Sequence, residues 1–142
     1  MNKLSFPRIL IIDGQGGKVG RQLIEAILEK LPSAEILAVG TNSIATANMI
    51  KGGAKQAATG ENAVIVGCRT ADLIVGPLGI VIADSLLGEV TPAMAVAIGQ
   101  SRAKRLLIPL NKCDNIVIGA GGKNIADYIQ KTAETVLSLC TE

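Results

Sequence analysis

Ile9-Leu10-Ile11-Ile12-Asp13-Gly14-Gln15-Gly16-Gly17-Lys18-Val19-Gly20 is the stretch that decides the fold. An apolar, β-branched run stops in glycines at 14, 16, 17 and 20, and an amphipathic segment, Arg21 to Leu31, follows. That order reads as a buried strand, a tight turn and the start of a helix. The turn is expected to leave bare backbone N–H groups at the helix N-terminus, where unpaired amides and the helix dipole both favour negative charge. Gly14, Gly17 and Gly20 fit a G-x-x-G-x-x-G spacing; the commoner G-x-G-x-x-G would need a glycine at Val19. Residues Asp13, Gly14, Gln15, Gly16, Gly17, Lys18, Val19 and Gly20 are therefore predicted to cradle the phosphate of a nucleotide or dinucleotide. The opposed reading is a tight turn that binds nothing. Lys18 is followed by Val19 rather than Ser or Thr, so this is not a Walker loop.

Asp13 stands where dinucleotide folds carry a small or apolar residue. A carboxylate beside a phosphate is repulsive unless a cation intervenes, and Lys18 or a magnesium ion could supply one. The plainer role is that Asp13 accepts hydrogen bonds from the turn amides.

Outward from this stretch, the chain alternates strand and helix. Strand one is Arg8 to Ile12 and helix one about Gly17 to Leu31, stopped by Pro32-Ser33. Val19, Leu23, Ile24, Ile27, Leu28 and Leu31 give that helix its apolar stripe. Strand two is Glu35 to Val39; Thr41-Asn42-Ser43 caps a second helix to about Lys51, and Gly52-Gly53 ends it. Residues 55 to 71 are ambiguous. Either Lys55 to Ala58 is a strand and Thr59-Gly60-Glu61 opens a helix to about Thr70, or Ala63 to Val66 is the strand. The second would force an antiparallel pair, since a parallel return needs a crossover of roughly a dozen residues, so the first is preferred. Strand four is Asp72 to Gly76. The apolar stretch Leu78 to Gln100 is expected to form two helices, split by Gly88 and Thr91-Pro92. Strand five is Arg105 to Leu110, Asn115 to Gly119 is a sixth strand or extended segment, and the last helix is about Lys123 to Leu139. The fold class is α/β: one domain over residues 1 to 142, a doubly wound parallel sheet in a Rossmann-like three-layer sandwich, with strand order 3-2-1-4-5.

Composition agrees. Apolar residues make up 49% of the 142, yet Phe6 and Tyr128 are the only aromatics, so the core must be aliphatic, as in helices packed on a parallel sheet. The formal net charge is +2 with acids and bases mixed, and no basic run is interleaved with aromatics, so nucleic acid is not an expected partner. No uncharged apolar run is long enough to span a membrane, and Met1 to Arg8 has no signal-peptide core. The chain reads as cytoplasmic, with Cys68, Cys113 and Cys140 as free thiols. The absence of histidine removes Ser-His and Cys-His catalysis and histidine-ligated metal sites, and no metal is expected as a resident cofactor.

The carboxyl ends of the strands should gather further groups. A dinucleotide site normally has an acid after strand two for the ribose hydroxyls. Here that place reads Gly40-Thr41-Asn42-Ser43, with neither acid nor arginine. Thr41, Asn42 and Ser43 could instead form a second anion pocket, which favours NADP or another nucleotide over NAD; alternatively they only cap the helix. Gly76, Pro77 and Gly79 form a slim loop over which a ligand can lie. The catalytic candidates are Asp84 and Glu89, isolated acids in an apolar stretch, and Lys112 beside Cys113, a pairing that could make the thiol nucleophilic. Each has a plain alternative, a solvent-facing acid or an inert thiol in a loop. Tyr128 and Lys131 are one residue short of the Tyr-x-x-x-Lys pair of short-chain dehydrogenases, so Tyr128 is read as a packing residue with its hydroxyl in water.

Seven segments carry a closer likeness: Ile12-Asp13-Gly14-Gln15-Gly16-Gly17, Gly40-Thr41-Asn42, Ala58 to Asn62, Gly76-Pro77 with Gly79-Ile80, Ala83 to Glu89, Thr91 to Met94, and Ile108 to Asn111. In these the chain resembles a family of small bacterial proteins classed only as a domain of unknown function, a resemblance that brings no activity with it. The functional expectation is binding of a nucleotide or dinucleotide phosphate at the glycine turn, with catalysis left open. The alternatives are a small NADP-dependent oxidoreductase acting as a homo-oligomer, and a scaffold with an empty turn. Because Leu78 to Gln100 is apolar on nearly all sides, it is expected to form part of a homo-oligomer interface, unless it is buried within one subunit.

Overall fold

The computed structural model describes residues 7–110 and 114–140. Five strands form one parallel sheet: β1 Arg8–Asp13, β2 Glu35–Gly40, β3 Gln56–Thr59, β4 Leu73–Pro77 and β5 Lys104–Ile108. The order is β3-β2-β1-β4-β5, as the sequence predicts. Helices α1 Lys18–Lys30, α2 Ser43–Lys51 and α5 Ile125–Cys140 go with one face; α3 Glu61–Thr70 and α4 Pro92–Gln100 cover the other.

Alternation along β1 explains why both faces are covered. Ile9 and Ile11 point towards Leu23, Ile24 and Ile27 of α1 and Ile129, Ala133 and Val136 of α5. Leu10 and Ile12 point to the opposite core, with Val64 and Cys68 of α3 and Met94 and Ile98 of α4. All four β1 side chains are buried, and such burial contributes about 1.5–3 kcal/mol each. A strand without a polar face needs helices on both sides.

Residues 55 to 71 follow the preferred reading: β3, then α3 as the crossover to β4. The stretch Leu78 to Gln100 does not form two helices. Its first half is a single 3-10 turn, Leu78–Val81, followed by turns to Val90, and only α4 is helical. The cause is local. Asp84, Leu86, Leu87 and Gly88 all have positive φ, which no right-handed helix accommodates. Thr91 caps α4 as expected, its Oγ1 accepting from the Met94 amide at 3.1 Å, with Pro92 in the first turn. Residues 115–119 form no strand; they are turn and irregular backbone, and α5 begins at Ile125 rather than Lys123. The Tyr128 hydroxyl is not left to water, for it accepts from the Gly121 amide at 3.2 Å.

The sheet register places the site. Asp13 lies beside Gly40 at the carboxyl edge, so the β1–α1 turn and the β2–α2 turn start level with each other. The Thr41 amide donates to the Asp13 carbonyl at 3.0 Å and locks that alignment.

Candidate functional site

The glycine turn leaves the strand at the carboxyl edge, but its amides are not bare. The Asp13 carboxylate accepts from the Gly14 amide at 2.8 Å and the Gly20 amide at 2.7 Å. The Gly17 amide donates to the Gly14 carbonyl at 2.9 Å. Gly17 caps α1 without a side chain, so Asp13 supplies the negative charge that the helix N-terminus favours. The plainer role for Asp13 is the one observed. Burial pushes its carboxyl above the ordinary carboxylate value; the bonds from Gly20, Gly14 and Val19 pull the other way, and the nearby charge of Glu89 adds to the rise.

The glycines are spaced by what must pass them. At Gly17, φ is +73°, and an added Cβ would lie 2.6 Å from the Ala45 backbone of α2. At Gly20 it would lie 2.9 Å from the Asp13 Cβ. At Gly14 it would meet Thr41 Oγ1 at 2.6 Å, Leu86 Cδ1 at 2.7 Å and Glu89 Oε1 at 3.0 Å. At Gly16 nothing lies within 4 Å. Three of these glycines thus admit protein, and the fourth faces open space.

Glu89 is the residue around which the edge converges. Its Oε1 accepts from the Gln15 amide at 2.8 Å, the Thr41 hydroxyl at 2.6 Å and the Asn42 side-chain amide at 2.8 Å. One carboxylate oxygen thus joins the β1–α1 turn, the β2–α2 turn and the connection between β4 and α4. Burial works to raise the Glu89 carboxyl, but the Thr41, Gln15 and Asn42 bonds together hold it below the ordinary value. Nothing among the described residues is seen donating to Oε2.

Asn42 has two roles. Its Oδ1 caps α2, accepting from the Ala45 amide at 2.8 Å, and its Nδ2 also donates to the Gln15 carbonyl at 2.9 Å. Asn48, further along α2, holds the Gly16 carbonyl at 3.1 Å. Arg21 in turn holds Asn48 at 3.0 Å. The turn is therefore stitched to α2 from both ends. Ser43 and Lys18 are exposed at the starts of their helices.

Gly76 and Pro77 end β4 and are buried, as is Gly79. An added Cβ on Gly76 would collide with the Ile12 carbonyl, so this slimness admits the neighbouring strand. Ser85 is buried and its hydroxyl donates to the Gly79 carbonyl, which pins the connection to the sheet edge. Asp84 is exposed; its amide donates to the Val90 carbonyl at 2.7 Å and its carbonyl accepts from the Gly88 amide at 3.1 Å. Lys112 and Cys113 lie outside the described residues. Burial pushes the Cys68 thiol up to about 11, so it is no nucleophile.

The sequence placed no acid at the end of β2, and in space there is one. Glu89 is 48 residues beyond Thr41 and reaches it through a connection that strand patterns do not describe. Its only signal was isolation in an apolar stretch. The end of β2 is therefore not free of acid, and the preference for NADP that such an absence implied has no support in the geometry.

The apolar character of Leu78 to Gln100 is largely spent inside the subunit, where Ile80, Leu86, Val90, Met94 and Ile98 are buried. Leu87, 95% exposed, and Val96 face outwards. Among the described residues no group of three or more acids or cysteines could hold a metal ion, and no helix is long and apolar enough to cross a membrane. Cavities of about 280 and 410 Å³ lie at the opposite, amino-terminal edge, the first lined by Arg8, Leu37, Gln56 and Thr70, the second by Leu28, Pro32 and Lys55. Neither gathers the polar groups that meet at Glu89.

No curated protein matches the chain. Among solved structures, it is similar to a dodecameric FMN-dependent UbiX-like decarboxylase from Escherichia coli O157:H7, at 19% identity and a TM-score of 0.44, over 94% of this chain and 76% of that one. A likeness of that strength carries nothing about ligand or assembly. The family model described as a domain of unknown function (DUF3842) matches residues 8–141, and the chain belongs to that family.

Proposed function

We propose that this protein binds a nucleotide-type ligand across the carboxyl edge of β1 and β2, over the glycine turn. The observation that supports the reading is the meeting of Gln15, Thr41, Asn42 and Glu89 at a single oxygen, beside a turn whose Gly16 faces open space. Ligands of open α/β sheets bind outside the carboxyl ends of the strands, where the connections diverge. The phosphates would lie over Gly16 to Lys18, with Lys18 as counter-charge, rather than on the Gly14, Gln15 and Gly20 amides that Asp13 and Glu89 already engage. The reading concerns binding; it assigns no reaction.

One observation favours a competing reading. The Gly14, Gln15 and Gly20 amides already have partners, so Asp13 and Glu89 would serve only to hold the edge together. A thermal-shift panel of NAD(H), NADP(H), FMN, ATP, AMP and coenzyme A decides between them. A true ligand at a hundredfold excess over its Kd adds about 2.7 kcal/mol of stability. No shift with any of them removes the binding reading. A homo-oligomer through the outward Leu87 and Val96 is the remaining part of the proposal; sedimentation showing only monomer at micromolar concentration removes it.

A further inference from the structure

We propose that a second copy of this chain docks on the α3–α4 face, antiparallel across a two-fold axis, so that Glu61 of each copy meets Arg69 of the other. The proposal rests on the homo-oligomer reading above and specifies its face and geometry; it is independent of the nucleotide site.

The outer side of α4 is the anomaly. Its nine residues, Pro92-Ala93-Met94-Ala95-Val96-Ala97-Ile98-Gly99-Gln100, include no charge. By contrast, α1 exposes Glu25 and Glu29, and α5 exposes Lys131 and Glu134. A helix that is apolar all round is normally a buried one. Within the subunit only one side of α4 is covered: Met94 and Ile98 are buried against the sheet, while Val96 is 53% exposed. Val66, on the neighbouring α3, is 44% exposed. Between the two helices runs a groove of about 330 Å³, lined by Ile65, Cys68 and Ala97.

The charges at the ends of this face indicate what covers it. Helices α3 and α4 both start at the carboxyl edge. The Thr91 hydroxyl, at the start of α4, donates to Glu61, at the start of α3, at 2.6 Å. The Ser101 hydroxyl, just past α4, donates to the Cys68 carbonyl near the end of α3 at 2.8 Å. Glu61, Ile65 and Arg69 recur at four-residue intervals and share one stripe of α3. Glu61 and Arg69 therefore stand about 12 Å apart along the helix. Arg69 and Arg102 line the far end of the groove. Arg102 pairs with Asp72 at 3.5 Å, and no ion pair to Arg69 is seen among the described residues. The face is thus acidic at one end, basic at the other and apolar between, with Val66 and Val96 near the middles of their helices. Turned end for end, it complements itself: Glu61 meets Arg69 twice, and the valines meet at the centre. A two-fold interface needs this self-complementarity, because the same patch serves both subunits.

The test is the oligomeric state of the full chain, by sedimentation equilibrium at micromolar concentration. The samples are wild type, Val96→Asp, Glu61→Arg, Arg69→Glu and an equimolar mixture of the last two. The wild type is expected to be a dimer or a multiple of dimers. Val96→Asp sets an acid at the centre of the face and should dissociate it. Each charge reversal brings like charges together at both ends and should weaken association about tenfold or more. The mixture should associate again, since each chain supplies the charge that the other has lost. If the wild type is monomeric, the homo-oligomer reading falls and this proposal with it. If the wild type associates and the three variants do too, only this proposal falls; dissociation by Leu87→Asp would then place the interface on the β4–α4 connection. If both reversals dissociate the protein and their mixture stays monomeric, the antiparallel arrangement is wrong. Should Glu61→Arg not fold, Val96→Asp set against Leu87→Asp still decides.

Discussion

Two connections meet at the carboxyl edge, and they are built in opposite ways. The β1–α1 turn, residues 14–17, is short, rich in glycine and held by Asp13 at the Gly14 amide, by Glu89 at the Gln15 amide, and by Asn42 and Asn48 at the Gln15 and Gly16 carbonyls. The β4–α4 connection is longer and apolar, and it folds back on itself through non-glycine residues in the left-handed region at Asp84, Leu86 and Leu87. The first connection provides a rigid frame. The second delivers the acid, Glu89, that the β1–α1 and β2–α2 turns both grip. A backbone bent unfavourably in that way persists only where its surroundings over-determine it. Here those surroundings are buried Leu86 and Val90, the Ser85 hydroxyl on Gly79, and Glu89 on Gln15, Thr41 and Asn42.

Substitutions in the frame should have the largest effects. Gly17→Val places a β-branched side chain at φ +73° against the Ala45 backbone, and urea unfolding should show a loss of about 3 kcal/mol or more, or no folded protein. Gly16→Ala, with open space around it, should stay within about 0.5 kcal/mol of wild type. Equal effects at the two positions would erase the distinction between glycines that admit protein and the one that faces outwards. Asp13→Ala leaves the Gly14 and Gly20 amides without their acceptor and should cost about 2–4 kcal/mol.

Glu89 sits between the two connections, and its effect should be intermediate. Glu89→Ala should lower stability by about 1–2 kcal/mol at neutral pH, less than full burial would give because solvent reaches the site. Its pH dependence has a definite sign. Hydrogen bonds hold the folded-state carboxyl below its ordinary 4.5, so its contribution is present above that value and is lost as pH falls through the lower, folded-state value. The gap between wild type and Glu89→Gln in denaturant melts should therefore narrow on acidification; a gap that widens contradicts the hydrogen-bonded geometry. Asp13 acts in the opposite direction: its raised carboxyl favours the folded state most below 3.8, and that advantage fades as pH rises through its folded-state value. The strained connection should respond in the opposite direction, with a gain. Leu87→Gly gives up almost no packing, since Leu87 is 95% exposed, and relieves a φ of +57°; thermal melts should show a gain of up to about 1 kcal/mol.

The same contrast explains what the sequence could disclose. The β1 run, the glycine spacing and the βα alternation carry local signals, and they led to the parallel α/β sheet and to the turn; chain order alone does not fix strand order, and 3-2-1-4-5 followed from the general Rossmann pattern. The choice between Lys55 to Ala58 and Ala63 to Val66 was settled by topology, because a parallel return needs a crossover that only the first allows. The connection after β4 was misread because its leucines and valines suit an apolar helix equally well. What forbids the helix is a run of left-handed residues that no composition announces. The amides were expected bare because their partners are remote or side-on. Asp13 reaches Gly20 across the turn, and Glu89 reaches Gln15 across 74 residues. Asn42 was legible as a cap, but its grip on Glu89 was not, since a capping residue with a second donor looks the same in sequence.

The most direct test of the binding site is a nuclear magnetic resonance titration of the amide-labelled chain with ATP and NAD+. The account predicts saturable shifts centred on Gln15, Gly16, Thr41, Asn42 and Glu89 at the carboxyl edge. Shifts confined to Leu37, Gln56 and Thr70, around the amino-edge cavity of about 280 Å³, or none at all, would contradict it.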